Sequence, residues 1–285
     1  MFPTNNFRGS INDSDLRYLT KLVYDYSGIN LSAEKKIFIE RKLNRRLSEL
    51  GLETYRQYFD FLYIEENQNN EMVFLINELT TNKTDFFRES AHFDFIKNLI
   101  VPSYFKNEFK HAHLNVNVWS AGCSTGEEPY TLAIVFNELL NEYANLTSNI
   151  YASDISTEVL KKAKNAVYKM DQIEDIPIDL KKKYFLKSKD PNKGLVKVIG
   201  NIRSKIKFFR ANLLEGNYGL PCKMDLIFCR NVLIYFDKTI QHKVLLNLLN
   251  NLAKGGYLFL GHSETIMGIT LPIEKVAPTI YRKLL

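Results

Sequence analysis

From about residue 114 onward, short apolar strand patterns alternate with helical patterns along the chain. Leu114, Val116 and Val118 alternate with polar residues, which is typical of a strand. A strand that ends at Asp154 follows, then further strands at about 206–210, 224–229 and 257–260, with helices at about 156–167 and 238–253 between them. Strands that alternate with helices predict an α/β fold with a parallel, doubly wound sheet.

The first 82 residues follow a different, helical pattern. Ile39, Leu43, Leu47 and Leu50 recur at helical spacing, so they predict a helix with one apolar stripe, which Ser32 caps and Gly51 ends. Other helices are predicted at about 13–27, 53–64 and 70–80. We therefore expect a helical N-terminal domain (1–82), a linker and entry segment (83–113) and an α/β domain (114–285).

Residues 168–205 interrupt the alternation of strands and helices, and they predict a small antiparallel β insert in the α/β domain. The surrounding stretch, 161–210, carries 15 basic and 5 acidic residues, most of the excess positive charge of a chain with a net charge of +6. Such a stretch favours an acidic partner, which is a nucleic acid, an acidic protein surface or a membrane. A plain solvated face explains it equally well.

Several classes of protein are excluded by what the sequence lacks. No apolar run reaches the roughly 18 residues that a membrane span needs, and no signal peptide is expected at the start. The three cysteines form no C-x-x-C pair, which predicts a reducing cytoplasmic environment and neither disulfides nor a zinc site. The five histidines show no metal-ligand spacing, so no metal is expected.

A glycine turn follows the first strand, at 122–126. Its spacing is G-x-x-x-G rather than that of a dinucleotide-binding turn, and Glu127 and Glu128 come next. Two carboxylates at a helix N-terminus would repel a pyrophosphate but suit a ligand that bears a cation. The sulfonium and ammonium groups of S-adenosylmethionine fit that description. Taken alone, the turn is equally consistent with an ordinary strand–helix connection.

Polar side chains follow three other strands, and the predicted sheet brings them to the same edge. Asp154 can accept hydrogen bonds from both ribose hydroxyls of a nucleoside, or it can simply cap the next helix. Asn212 and Asn231 follow the third and fourth strands. Their amides can read an adenine edge or hold the amino-acid end of a ligand.

Six stretches, in order, resemble the CheR family of chemotaxis receptor methyltransferases. Two of them are Asn82-Lys-Thr-Asp-Phe-Phe-Arg88 and Gly122-Cys-Ser-Thr-Gly-Glu-Glu128 with their flanks. The full stretches are 79–88, 118–130, 152–154, 212–214, 227–237 and 261–264. The resemblance implies a helical N-terminal domain, then an α/β domain that binds S-adenosylmethionine and carries a small β-subdomain.

The resemblance also implies roles for individual residues. Arg88 and Tyr235 are expected near the transferred methyl group. Lys42, Arg45 and Arg46, on the predicted helix before Gly51, are expected to dock the acidic surface of the substrate. The expected cofactor contacts are Asn82, Thr84, Arg88, Glu127, Asp154, Asn212, Leu213, Arg230 and Asn231.

The activity that the resemblance implies is methyl transfer from S-adenosylmethionine to glutamate side chains of membrane chemoreceptors. The products are γ-glutamyl methyl esters, used in chemotactic adaptation, and S-adenosylhomocysteine. We expect a monomer in the cytoplasm that is recruited to receptor arrays, binds the cytoplasmic helices of the receptors, inserts into no membrane and binds no nucleic acid.

Two other functions stay open at the level of sequence. A methyltransferase of the same fold that acts on RNA or another protein would use the basic insert for phosphate contacts. A module that binds the cofactor or a receptor without turnover would serve as a sensor. A plain NAD-binding protein is disfavoured, because the glycine spacing and the Glu127-Glu128 pair are wrong for it.

Overall fold

The computed structural model describes residues 9–31, 33–80, 82–106, 113–266 and 268–284, which form two compact units. The first, here called the helical unit, combines Met1–Thr81 with Tyr235–Gln241. The second, the α/β unit, combines Asn82–Ile234 with His242–Leu285. In the described residues, no helix is both long enough and apolar enough to cross a membrane.

In its described residues, the helical unit is built mainly of α-helices, and side chains cap the first turn of two of them. The Asn12 side chain accepts a hydrogen bond from the Asp15 amide at 2.8 Å, which satisfies a free donor in the first turn. Thr54 and Gln57 form a reciprocal capping box at the start of the third helix. The helices are α1 (Asp13–Ser27), α2 (Lys36–Leu50), α3 (Tyr55–Leu62) and α4 (Glu65–Leu79).

Helix α2 confirms the predicted apolar stripe. Ile39, Leu43 and Leu47 are each at most 1% exposed, whereas Leu50 is half-buried. The helix ends where Gly51 adopts a left-handed φ of 69°, a conformation that glycine adopts at little cost. The predicted cap, Ser32, lies outside the described residues.

The α/β unit is built on a mostly parallel seven-stranded sheet, which confirms the predicted fold class. The strands are β1 (Leu114–Ala121), β2 (Leu146–Asp154), β6 (Ile206–Arg210), β7 (Met224–Cys229), β8 (Leu252–Leu260), β9 (Ile273–Ala277) and β10 (Ile280–Lys283). Their order across the sheet is β6-β2-β1-β7-β8-β10-β9. The first five strands pair in parallel, and the β9–β10 hairpin, which was not predicted, adds an antiparallel edge.

The predicted antiparallel insert is confirmed as a second, three-stranded sheet. It consists of β3 (Val167–Lys169), β4 (Phe185–Lys187) and β5 (Leu195–Val198), in the order β3-β5-β4. Both pairings are antiparallel.

Helices connect the strands of the α/β unit. They are α5 (Ala91–Phe95), α6 (Val101–Lys106), α7 (Glu127–Leu139), α8 (Thr157–Asn165), α9 (Ile178–Tyr184), α10 (Gly200–Arg203) and α11 (Lys238–Asn251), of which residues 238–241 belong to the helical unit. The first two fall in the segment 83–113 that was expected to be a linker. Phe93, Ile96 and Ile100 in this segment are fully buried in the core of the α/β unit, where the Phe93 ring stacks on Phe228 at 6.1 Å. This segment is therefore part of the unit rather than a free connection.

Candidate active site

The carboxyl ends of β1, β2 and β6 meet at one edge of the sheet in the α/β unit, as expected for parallel strands. The amide of Gly122, just after β1, donates to the carbonyl of Ser153 in β2 at 2.8 Å. The amide of Ala211, just after β6, donates to the carbonyl of Asp154 at 3.1 Å. The glycine turn, Asp154 and the residues after β6 are thus direct neighbours.

The glycine turn has the tight backbone that its sequence predicted. Gly126 adopts a φ of 100°, and a Cβ atom there would lie 3.0 Å from the Cβ of Ala163. Ser124 in the same turn also has a positive φ, of 48°. Its amide donates to Asp154 Oδ2 at 2.9 Å, and its hydroxyl donates to the carbonyl of Asn82 at 2.8 Å. Ser124 therefore joins Asn82, the turn and Asp154 into one surface.

Asp154 is held at the end of β2 by hydrogen bonds to both of its oxygens. Oδ2 accepts from the amide of Ser124, and Oδ1 accepts from the amide of Ser156 at 2.9 Å. Burial raises the pKa of this carboxyl, while the backbone amides act in the opposite direction. Each carboxylate oxygen has a second lone pair, so the fixed carboxylate suits the two hydroxyls of a ribose. The alternative role of Asp154 as the cap of the next helix is wrong, because that helix is capped by Ser156, whose hydroxyl accepts from the amide of Val159 at 3.4 Å.

Glu127 begins helix α7 and is almost fully buried, at 1% exposure. The Thr125 hydroxyl donates to its Oε2 at 2.6 Å, and Gln172 Nε2 from the insert donates to its Oε1 at 3.3 Å. Burial raises the pKa of Glu127 to about 7, with a smaller contribution from the charge of Asp85. A buried carboxyl of this kind is stabilised as an anion by a cationic ligand, so the site fits the ammonium group of S-adenosylmethionine.

Asn212 and Leu213 follow β6 and are both buried. Asn212 Oδ1 accepts from the amide of Leu214 at 3.1 Å, which fixes the side chain in a local turn. The carbonyl of Leu213 accepts from the Tyr218 hydroxyl at 2.7 Å and from Asn247 Nδ2 at 3.1 Å. Both residues are therefore firmly positioned beside Asp154.

The loop after β7 depends on Glu264, a buried acid from the loop after β8. Glu264 Oε1 accepts from the amides of Val232 and Leu233 at 2.8 and 2.7 Å, and its Oε2 accepts from Gly261. Asn231 at the start of this loop has a left-handed φ of 58°. Residues held in sparsely populated backbone regions need such support, so Glu264 is a positioning residue for Asn231.

Arg230, predicted as a cofactor contact, has its guanidinium in a buried ion-pair network. Its side chain is 3% exposed and lies 3.1 Å from Glu89 Oε2 and 3.2 Å from Glu128 Oε2. It also donates to the carbonyl of Arg88. Ser120 supports Glu128 through a 2.7 Å hydrogen bond. Arg230 thereby joins the segment around Arg88 to the end of β7.

The segment that carries Thr84 and Arg88 has an unusual backbone. Phe87 and Glu89 on either side of Arg88 have positive φ values of 52° and 56°. The amide of Phe87 donates to the Thr131 hydroxyl at 3.1 Å. Arg88 is partly exposed, and its Nη1 reaches the carbonyl of Lys83 at 3.4 Å. Arg88 is therefore presented at the surface by a strained and well-supported backbone.

Tyr235, the other predicted catalytic residue, belongs to the helical unit, whereas Arg88 belongs to the α/β unit. Within the helical unit, the carbonyl of Tyr235 accepts from the amide of Asn30 at 2.8 Å. The Lys35 ammonium lies 5.8 Å from the centroid of the Tyr235 ring.

The three cations predicted to dock substrate make ion pairs inside the helical unit. Lys42 Nζ lies 2.9 Å from Glu78, and Arg46 lies 2.6 Å from Glu71. Arg45 also contacts Glu78, at 3.0 Å, but its side chain is 56% exposed. Of the three, Arg45 is the most accessible.

Three residues that support the site were not predicted from the sequence: Glu264, Glu89 and Gln172. Glu264 lies in the matched stretch 261–264, so the resemblance was the available signal. Glu89 directly follows Arg88, and this position beside a predicted site residue was the signal that could have identified it. Gln172 gave no signal, because its contact with Glu127 spans 45 positions and depends on how the insert folds.

Both parts of the chain match known families. Residues 14–80 match the family described as CheR methyltransferase, all-alpha domain, and residues 82–281 match CheR methyltransferase, SAM binding domain. Among solved structures, a magnesium protoporphyrin IX methyltransferase from Synechocystis PCC 6803 is similar over 78% of this chain and 91% of its own. Its identity is 13% and its TM-score of 0.33 is too low to support a functional argument.

Curated relatives match over nearly the whole chain. A chemotaxis protein methyltransferase from Borreliella burgdorferi is 38% identical and covers 98% of this chain and 97% of its own. The one from Salmonella typhimurium is 37% identical over 96% and 91%, and chemotaxis protein methyltransferase 2 of Pseudomonas aeruginosa is 36% identical over 94% and 92%. This chain therefore belongs to the CheR methyltransferase family and binds S-adenosylmethionine.

Proposed function

We propose that this protein transfers the methyl group of S-adenosylmethionine to glutamate side chains of membrane chemoreceptors, forming γ-glutamyl methyl esters. The observation that carries the proposal is the likeness to chemotaxis protein methyltransferases along 94–98% of the chain, in the helical unit as well as the α/β unit. Retention of both units favours the same substrate class, because only the α/β unit is needed to bind the cofactor.

The cofactor contacts that we propose lie along the strand ends. Glu127 and Asp154 carry the strongest argument, since one offers a buried carboxyl for a cation and the other offers a fixed carboxylate for a ribose. The complete proposed set is Asn82, Thr84, Arg88, Glu127, Asp154, Asn212, Leu213, Arg230 and Asn231. Of these, Arg230 acts chiefly by positioning the Arg88 segment, because Glu89 and Glu128 pair with its guanidinium.

The chemistry that the protein must add is modest. Bound S-adenosylmethionine supplies a methyl group that its sulfonium already activates. A glutamate, with a pKa near 4.3, is an anion at neutral pH and needs no general base. Correct alignment of the reacting groups alone can contribute roughly 7–11 kcal/mol. We assign Arg88 to orient the substrate carboxylate, with Tyr235 as a second residue near the reaction.

The substrate surface that we propose is the exposed cationic face of α2. Arg45 remains the best candidate there, since Lys42 and Arg46 are largely neutralised by Glu78 and Glu71. Lys42 and Arg46 therefore contribute to the shape of this face rather than to its net positive charge. Acidic methylation helices of a receptor would be attracted by Arg45 and the neighbouring exposed Arg41.

We further propose that the enzyme works in the cytoplasm as a monomer that is recruited to receptor arrays. The alternative is a methyltransferase of the same fold that acts on RNA or another protein. It would rely on the basic stretch at 161–210, but the relatives, named as chemotaxis methyltransferases, do not favour it.

The decisive experiment uses tritiated S-adenosylmethionine and membranes that contain chemoreceptors. We expect label on the receptor that mild base releases as methanol, because an ester hydrolyses under conditions that leave N-methyl groups intact. The Asp154→Ala variant should lose labelling through loss of cofactor binding. Base-stable label, or label on RNA alone, would contradict the proposal and favour the alternative.

A further inference from the structure

Glu89, His92 and His262 converge beside the end of β8, in the α/β unit. Their ligand-type atoms all lie within 4.8 Å of one another. Glu89 Oε2 lies 3.7 Å from His92 Nδ1 and 4.0 Å from His262 Nε2. The proposed methyl transfer assigns no step to any of the three side chains.

His92 presents a buried lone pair to this cluster. Its side chain is 1% exposed, and its Nε2 lies 2.9 Å from the hydroxyl of Thr279. When that hydroxyl donates to the carbonyl of Pro278, 2.8 Å away, its oxygen accepts the Nε2 proton of His92. Nδ1 is then the unprotonated nitrogen, and no hydrogen-bond donor reaches it from the described residues. A buried acceptor without a hydrogen-bond partner destabilises the fold, so binding of a ligand at Nδ1 would be favourable.

We propose that Glu89 Oε2, His92 Nδ1 and His262 Nε2 bind a divalent transition-metal ion of the zinc class. Two imidazole nitrogens and one carboxylate oxygen are typical ligands for Zn²⁺, with a fourth position left for water. Tetrahedral bonds of about 2.0–2.2 Å place ligand atoms roughly 3.3–3.5 Å apart. The distance of 3.7 Å between Glu89 Oε2 and His92 Nδ1 lies slightly above that range. The His262 side chain is 61% exposed, so its ring has room to move toward the other two ligands.

The surroundings of the cluster supply the outer hydrogen bonds of such a site. A metal-binding histidine normally donates its other ring N–H to an oxygen, as His92 does to Thr279. Glu89 Oε1 accepts from the amide of His262 at 3.1 Å, which orients Oε2 toward the two rings. The Glu89 carboxylate and the His92 ring are therefore oriented before any ion binds.

Arg230 is a cation that opposes metal binding, at 3.1 Å from Glu89 Oε2. It is also paired with Glu128, 3.2 Å away. Two carboxylates thus share one guanidinium, and Glu128 can hold Arg230 while Glu89 binds the ion. A bound ion would join the segment after Arg88 to the loop after β8.

The test uses the full-length chain after treatment with a chelator, with ZnCl₂ followed by calorimetry and CoCl₂ followed by visible absorbance. We expect one ion per chain, a Co²⁺ spectrum typical of four-coordinate sites, and a higher Tm with Zn²⁺. His262→Ala and His262→Gln should each weaken Zn²⁺ binding at least about tenfold and abolish the rise in Tm. His242→Ala, which removes an exposed histidine outside the cluster, should bind Zn²⁺ like the parent.

Unchanged Zn²⁺ affinity in both His262 variants would overturn the proposal, as would equal loss in His242→Ala or no stoichiometric binding by the parent. Circular dichroism of each variant confirms that the fold is retained. Because the assay contains no methyl donor or acceptor, its result does not depend on the proposed function.

Discussion

At the scale of single residues, Glu127 is the group whose charge should respond most clearly to pH. Its pKa is about 7 in the free protein, against an ordinary value of 4.5. A cation binds the ionised form, and the ionised fraction rises about tenfold between pH 6 and pH 8 for such a group. Affinity for S-adenosylmethionine should rise by about that factor over this range, as measured by calorimetry.

Glu127→Gln is the control for this prediction, because it keeps the shape of the side chain and removes its titration. It should bind the cofactor weakly and with little dependence on pH between 6 and 8. An unchanged slope in the variant would assign the pH dependence to another group. The same raised pKa means that this carboxyl destabilises the free protein as pH rises through 7.

At the scale of elements, the turn between β1 and α7 shows how one glycine can combine two constraints. Gly126 has a φ of 100°, and a Cβ atom added there would lie 3.0 Å from the Cβ of Ala163. Gly194 in the insert has a φ of 54°, and a Cβ atom added there would meet nothing within 4 Å. Alanine at either position carries a left-handed backbone cost of about 1–2 kcal/mol. Gly126→Ala should lower the free energy of unfolding by about 1–3 kcal/mol more than Gly194→Ala does, because the new Cβ clashes with Ala163.

Chemical denaturation of Gly126→Ala and Gly194→Ala, side by side, separates the two constraints. Only the first should also weaken cofactor binding, because only that turn carries Ser124 and its bond to Asp154. Equal losses of stability in both variants would show that the contact with Ala163 relaxes freely.

Helix α2 is the element whose charge should govern recognition of the receptor. Arg45→Glu replaces an exposed cation on the proposed docking face, and it should raise the KM for receptor about fivefold, the equivalent of about 1 kcal/mol. The effect should shrink in high salt. Arg56→Glu is a matched control, because Arg56 is 82% exposed on α3 and pairs only with the exposed Asp60 among the described contacts. An equal rise in KM for both variants would rule out a specific role for α2.

At the scale of the whole molecule, the sequence predicted the features that depend on local pattern. Alternating strands and helices, with the turn at 122–126, were enough to place Asp154 and Asn212 at the same edge of a parallel sheet. The features that it missed depend on distant partners. Neither the pairing of Arg46 with Glu71 nor the contact of Gln172 with Glu127 leaves a periodic signal.

The β9–β10 hairpin was missed for a different reason. Its turn includes Thr279 with a φ of 56°, and a β-branched residue gives no sign of a left-handed turn. The hairpin completes the sheet and brings Thr279 to His92.

The helical unit is discontinuous in sequence, because Tyr235–Gln241 belongs to it together with the first 81 residues. Asp237 accepts from the Tyr24 hydroxyl at 2.5 Å, and its Oδ1 accepts from the amide of Ile240 at 2.9 Å. Asp237→Ala should therefore speed amide hydrogen exchange in α1 and at Asn30, whose amide donates to Tyr235. Asp179→Ala, which changes an exposed residue, should leave these exchange rates unchanged. Equal exchange rates in the two variants would contradict a stabilising role of Asp237.

This discontinuity also affects how the protein is made. A ribosome that has finished residue 81 must still add residues 82–234 before it reaches Tyr235–Gln241, the last part of the helical unit. At about 5–20 residues per second, that takes roughly 8–30 s. Helices α1–α4 therefore leave the ribosome before the α/β unit does, but the helical unit can be completed only after most of the α/β unit has been synthesised.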